Sequence, residues 1–229
     1  MHKRVRIALD QGETVSGILC GQARNNRTGV IIAHGAGGDM ENPFIVHLCN
    51  GLAGAGHITL RFNFPYRERG RKAPDGQKKL ILTWEKVFQF FKEESGYAME
   101  HIVVSGKSMG GRIASQMVAE GLMAAKGLVL FGYPLHAPGR KEKLRDAHLH
   151  HIQIPMLFFS GTRDSLCDLD LLKGVLNKVH APWHLEIIQG GDHSFKTLKA
   201  MERSQEDVYD QILSRMIVWL GTAMDGGVS

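Results

Sequence analysis

From Gly29 onward, short strand-like segments alternate with stretches of helical spacing, and this alternation restricts the possible folds more than any other feature of the chain. The strand candidates are "GVIIAHGAGG" (29–38), which is a continuous apolar run, "HITLRFNF" (57–64), "HIVVSG" (101–106), "AKGLVLFGYP" (125–134), "PMLFFSGTRD" (155–164) and "WHLEIIQGGDHS" (183–194). Runs without a polar face are what strands buried on both sides require. Between them lie helix signals: "NPFIVHLCNGLAGAG" (42–56), with Pro43 near its start and Gly56 near its end, and "KKLILTWEKVFQFFKEES" (78–95), with Leu80, Trp84, Val87, Phe88 and Phe91 on one face. Further helices are expected over 109–121, 170–179 and 206–220, and "PYRERGRKAPDG" (65–76) reads as a polar loop. The pattern predicts an α/β fold with a mostly parallel central sheet and helices on both faces. Ahead of it, Val5, Ile7 and Leu9 alternate with Arg4, Arg6 and Ala8, and "TVSGILCG" (14–21) follows a turn, so the N-terminus predicts an antiparallel hairpin. Connections are short, with no linker or repeat. One domain over residues 1–229, without a large cap domain, is the expectation.

Chemistry concentrates where these strands end. "GKSMG" (106–110) places Ser108 between a strand and a helix, the context in which G-x-S-x-G exposes a nucleophile. Gly106 and Gly110 leave room for a strained backbone, and the helix N-terminus offers amides to a developing anion. Ser105, inside the strand, reads as a buried hydroxyl. A serine needs a base. Of twelve histidines, His193 lies past a late strand, at the same sheet edge as Ser108, whereas His57 and His101 begin strands at the opposite edge. Asp164, past the strand 155–161, is the preferred orienting acid. Asp168 and Asp170 suit capping of the next helix, and Asp192 adjoins His193. The chain order Ser108, Asp164, His193 is serine, acid, histidine. The glycine-rich "AHGAGG" (33–38), including Gly35 and Gly37, sits where an oxyanion loop would, with the Ala36 and Met109 amides as donors. His148, His150 and His151 cluster in "HLHH", but without an evident acidic partner they read as surface histidines rather than a metal site.

The net charge of +5 is local, because residues 61–79 carry the same excess. One reading is a solvated, internally paired loop; the other has Arg67, Arg69 or Arg71 binding an acidic substrate. No nucleic-acid module is recognisable, so nucleic acid is not an expected partner. Three scattered cysteines, no apolar leader and no apolar run long enough to cross a membrane predict a cytoplasmic protein without a membrane partner. Residues 134–152, with several charges and four histidines, are a candidate mobile lid.

The segments "HGAGGDMENPF" (34–44), "RFNFPYRERGRKAPD" (61–75), "GKSMGGR" (106–112), "SGTRD" (160–164) and "GGDHSF" (190–195) together give the chain a resemblance to the α/β hydrolases over nearly its whole length. It most resembles a compact, capless subgroup that includes bacterial hydrolases and the testis-expressed and NSL-complex-subunit proteins of animals, with residues 61–75 the most diagnostic. Dienelactone-hydrolase-like esterases are more distantly similar; in several of them the nucleophile is cysteine, where this chain has Ser108. The resemblance implies the fold and the triad positions, not the substrate. The expectation is a serine hydrolase acting on a small-molecule ester or related acyl bond, a chemistry that calls for neither metal nor cofactor. The alternatives are a binding or scaffold protein that has lost turnover and, less favoured without room for an access-restricting domain, a peptidase.

Overall fold

The computed structural model describes residues 2–21 and 28–225. Among them, eight strands form one sheet in the order β1-β2-β4-β3-β5-β6-β7-β8. The N-terminal hairpin pairs β1 (His2–Ala8) with β2 (Thr14–Cys20), and β2 continues antiparallel onto β4 (Ile58–Phe62). From there every pairing is parallel: β3 (Thr28–Ala33) lies between β4 and β5 (His101–Lys107), followed by β6 (Gly127–Phe131), β7 (Met156–Gly161) and β8 (Trp183–Ile188).

Side chains of a strand alternate between faces, and both faces here are covered. Val30 and Ile32 pack with Val103, Val129 and Leu157 beneath α1 (Pro43–Gly54) and α6 (Gln205–Asp225). Ile31 and Ala33 pack with Val104, Leu128 and Phe158 beneath α3 (Gln77–Glu93), α4 (Met109–Ala119) and α5 (Leu169–Leu176). That is why β3 has no polar face: all six of its residues are buried. Helix α1 starts where Asn42 Oδ1 accepts from Phe44 N at 3.1 Å, with Pro43 in the first turn, as the sequence suggests. In α3, Leu80, Trp84, Val87 and Phe91 form the buried stripe predicted from spacing.

Two expectations change. The stretch read as a polar loop after β4 begins with a short helix, α2 (Pro65–Glu68), which buries Pro65 and Tyr66. Residues 134–152 are tied to the body of the fold. His136 Nε2 accepts from Asp168 N at 3.1 Å, and His136 N donates to Leu166 O at 3.0 Å. A 3-10 turn, Ala147–His151, then buries Leu149.

Candidate active site

Parallel strands leave their carboxyl ends at one edge of the sheet, and the loops there carry the polar groups that converge. Ser108 follows β5 directly and precedes α4. Its backbone is at φ 49°, ψ −114°, a conformation that side-chain-bearing residues rarely adopt. Tight packing holds it there. A Cβ on Gly106 would stand 2.4 Å from Gly111 N, and one on Gly111 would stand 2.5 Å from Gly106 O, so the strand and helix backbones touch only because both are glycine. Gly110 is pressed in the same way against His34 O, where a Cβ would lie at 2.5 Å. Ser108 N donates to Phe131 O at 2.9 Å, which ties the turn to the end of β6.

His193 reaches this turn from the loop after β8. Its Nδ1 lies 2.8 and 2.9 Å from the two carboxylate oxygens of Asp164, so the Nδ1 proton is donated there. That leaves Nε2 as an acceptor, 2.9 Å from Ser108 Oγ, toward which the hydroxyl donates. The Asp164 side chain is fully buried, and one of its oxygens also accepts from Leu166 N at 2.8 Å. The loops carrying Asp164 and His193 are laced together: Arg163 N donates to Gly191 O at 2.9 Å, and Gly190 N to Thr162 Oγ1 at 2.8 Å. Asp192 turns away from the cluster and builds the loop, its Oδ1 accepting from Ser194 N and Lys196 N at 2.7 and 2.9 Å. Ser105 Oγ donates to Ile31 O at 2.8 Å, a satisfied buried hydroxyl. Asp168 caps α5, accepting from Asp170 N and Leu171 N.

Opposite Ser108, Gly35 to Gly38 make a turn closed by Gly38 N donating to Gly35 O at 3.2 Å, with Gly37 at φ 74°. Among the described residues, the Ala36 and Met109 amides donate to no protein acceptor, and both residues border the space in front of Ser108.

Sequence reasoning did not single out His34 or Lys107. His34 is buried behind the glycine turn, its Nε2 accepting from Phe64 N at 3.1 Å and its Nδ1 donating to Gly35 O at 2.8 Å. Burial pushes its pKa down to about 4, which keeps the imidazole neutral and both bonds intact. The histidine immediately before the glycines was the signal available. Lys107, the variable residue before the serine, extends behind His193. Its ammonium donates to the His193 carbonyl oxygen and lies 5.0 Å from the Phe195 ring centroid. Burial lowers its pKa to about 8.

Of the two readings of the arginine-rich segment, internal pairing is the one its ion pairs follow. Arg67 pairs with Asp39 at 2.9 Å, Arg69 with Glu13 and Asp75, each at 2.7 Å, and Arg71 with Asp75. Asn63 Oδ1 accepts from Met40 N at 2.9 Å, Arg61 pairs with Glu41 at 3.3 Å, and Tyr66 Oη donates to Gly35 O at 3.3 Å. Residues 61–75 therefore clip the glycine turn and the residues following it from behind. Arg67, Arg69 and Arg71 line neither cleft that reaches Ser108.

Two clefts meet at Ala36 and Ser108. One, of about 300 Å³, runs past the glycine turn, Asn42, Ile45 and His193. The other, of about 440 Å³, runs over Met109 between Arg112, Pro138, Arg145 and Leu166. Residues 134–152, read as a candidate lid, supply part of its wall. In "HLHH", His148 turns inward, its Nε2 2.8 Å from Ser115 Oγ. Among the described residues, no three His, Cys, Asp or Glu side chains converge as a metal site, and no helix is long and apolar enough to cross a membrane.

The profile of the alpha/beta hydrolase domain family matches residues 26–221. Among solved structures, the chain is similar to a dienelactone hydrolase from Anabaena variabilis, with 18% identity, a TM-score of 0.74 and 96% of each chain covered. It is similar to an alpha-beta serine hydrolase homologue from Coxiella burnetii, with 17% identity and a TM-score of 0.74, over 95% of this chain and 97% of that one. A serine hydrolase without a lid from Xanthomonas campestris aligns at 15% identity and a TM-score of 0.70, over 98% of this chain and 94% of that one.

Proposed function

The chain belongs to the alpha/beta hydrolase domain family, and from that premise we propose that it is a serine hydrolase that cleaves carboxylic esters or thioesters through Ser108, His193 and Asp164. One observation carries the reading: the continuous hydrogen-bond line from the buried Asp164 carboxylate through His193 to Ser108 Oγ, at 2.8 and 2.9 Å. Binding alone would not need this line at the end of a strained turn.

The steps follow from it. Ser108 Oγ bonds to the acyl carbon while its proton passes to His193 Nε2. The carbonyl electron pair moves onto oxygen, which the Ala36 and Met109 amides stabilise. The bond to the alcohol or thiol breaks, and the His193 proton goes to the leaving atom. Water then attacks the acyl-enzyme and gives a proton to His193. The carbon–Oγ bond breaks and that proton returns to Oγ. Asp164 holds the Nδ1–H tautomer and stabilises the imidazolium.

Residues 1–229 act as one domain in this reading. The clip formed by residues 61–75 supports a place in the capless subgroup, and three buried, unpaired cysteines suit the cytoplasm. A fluorophosphonate probe tests the proposal. Wild type should label at Ser108, Ser108→Ala should not, and Asp164→Asn should label roughly 10⁴-fold more slowly because the wrong tautomer is favoured. Folded wild-type protein that resists the probe would refute the proposal and favour a binding or scaffold role.

A further inference from the structure

The larger cleft beside Ser108 holds two cations that have no counter-ion among the described residues. Arg112 lies on α4 one helical turn beyond Ser108, about 6 Å along the axis, and so on the same helix face. Arg145 approaches from residues 134–152 across the cleft. Among the described residues neither pairs with a carboxylate: Arg112 Nη1 reaches Gln116 Oε1 at 3.4 Å, and Arg145 Nη1 donates to Pro134 O at 3.1 Å. By contrast, Arg61, Arg67, Arg69 and Arg71 all have acidic partners. Each guanidinium carries five donors, so most of those on Arg112 and Arg145 are uncommitted. The two also repel: burial first, and then the charge of Arg145, lower the Arg112 pKa. An anion between them would relieve that repulsion and accept from both.

The position of the base assigns the cleft to one half of the substrate. His193 must hand its proton to the leaving atom, and it borders the smaller cleft, not the larger one. The leaving group therefore occupies the His193 side and the acyl group the side of Met109 and the two arginines. Met109, Ala137, Pro138 and Leu166 give the acyl chain an apolar wall in the same cleft as the cations.

Building on the hydrolase reading above, we infer that Arg112 and Arg145 bind a carboxylate at the far end of the acyl group, so that the substrates are monoesters or monothioesters of dicarboxylic acids. The products are the free dicarboxylate and an alcohol or thiol.

The test compares three esters at low and high salt: the 4-nitrophenyl monoester of adipic acid, the 4-nitrophenyl ester of monomethyl adipate, and the hexanoyl ester of 4-hydroxybenzoate, which carries its charge on the leaving group. Wild type should favour the charged adipate ester over its neutral match by about tenfold to a hundredfold in kcat/KM, the range for charge-assisted hydrogen bonds. High salt should shrink that ratio. Arg145→Gln and Arg112→Gln should each collapse most of it, and Arg112→Lys should restore part. The inference is overturned if wild type shows no preference, if the preference survives both glutamine variants, or if charge on the leaving group gives the same gain. Fluorophosphonate labelling and hydrolysis of the neutral ester, measured on the same wild-type protein, separate the two readings. If both occur without charge preference, this inference falls alone; if neither occurs, both readings fall.

Discussion

Ser108 stores strain, and two substitutions at that one position can measure it. A side-chain-bearing residue at φ 49°, ψ −114° costs about 1–3 kcal/mol relative to relaxed backbone. Ser108→Ala removes Oγ but keeps Cβ, and so keeps the strain. Ser108→Gly removes both. The bond to His193 is lost equally in the two variants and cancels in their difference. What remains is the strain released, less the extra entropy of glycine in the unfolded chain, about 0.5–1 kcal/mol. The glycine variant should therefore be the more stable by about 1 kcal/mol, with an upper bound near 2.5 kcal/mol. Unfolding entropy near 2.1 cal/mol/K per residue gives about 480 cal/mol/K for 229 residues. The expected gap is then about 2 °C for each kcal/mol. Calorimetry reads the melting difference, and urea titration gives the free energy at constant slope. Both variants should be catalytically dead, so the effect is separable from activity. If Ser108→Ala exceeds Ser108→Gly in stability by both methods, the turn is not strained.

Gly106→Ala should destabilise the protein by at least about 1–3 kcal/mol, the usual cost of overpacking, because its Cβ would meet the backbone at Gly111 N and at Gly110 C (2.6 Å). The start of α4 has to move, so probe labelling of Ser108 should slow in the protein that still folds; wild-type stability would refute the contact. His34 predicts an acid-side loss of stability. Its folded pKa of about 4 lies below the ordinary 6.5, so between these values the unfolded chain binds the extra proton. Stability therefore rises with pH across this window and falls as the pH drops toward 4. His34→Leu should flatten the slope by up to about 1.4 kcal/mol per pH unit, read from urea titrations at several pH values; an unchanged slope would refute the assignment.

The fold was legible because burial on both sheet faces forces polar residues out of whole strands, as in Val30–Ala33. The convergence of Ser108, Asp164 and His193 was legible because each follows a strand at the same edge, beside glycines or other turn-forming residues. Some features lacked a local signal. Helix α2 is one turn inside an arginine-rich stretch, and it exists because Tyr66 is buried against His34 and the Gly35 carbonyl, whose residues are about thirty positions away. Residues 134–152 looked mobile from their charges and histidines. Their anchors, His136 on Asp168 N and His148 on Ser115, are contacts between segments that sequence periodicity does not register.

The arginines show how composition can mislead about function. A local excess of positive charge marked residues 61–79, yet a charge is available to a ligand only if the fold leaves it uncompensated. Glu13, Asp39 and Glu41 come from distant segments to meet that excess, and pairing converts Arg61 and Arg67 into a brace for the residues that follow the glycine turn. Arg112 sat unremarked within "GKSMGGR", although its spacing of four from Ser108 put both on one helix face. Arg145 joined it only through the tertiary path of residues 134–152. The positional argument is therefore stronger than the charge count. A cation one helical turn from Ser108, facing a second cation and, among the described residues, lacking a carboxylate, is placed to bind an anion in the cleft. A denser arginine cluster paired with acids behind the glycine turn is placed to hold that turn still.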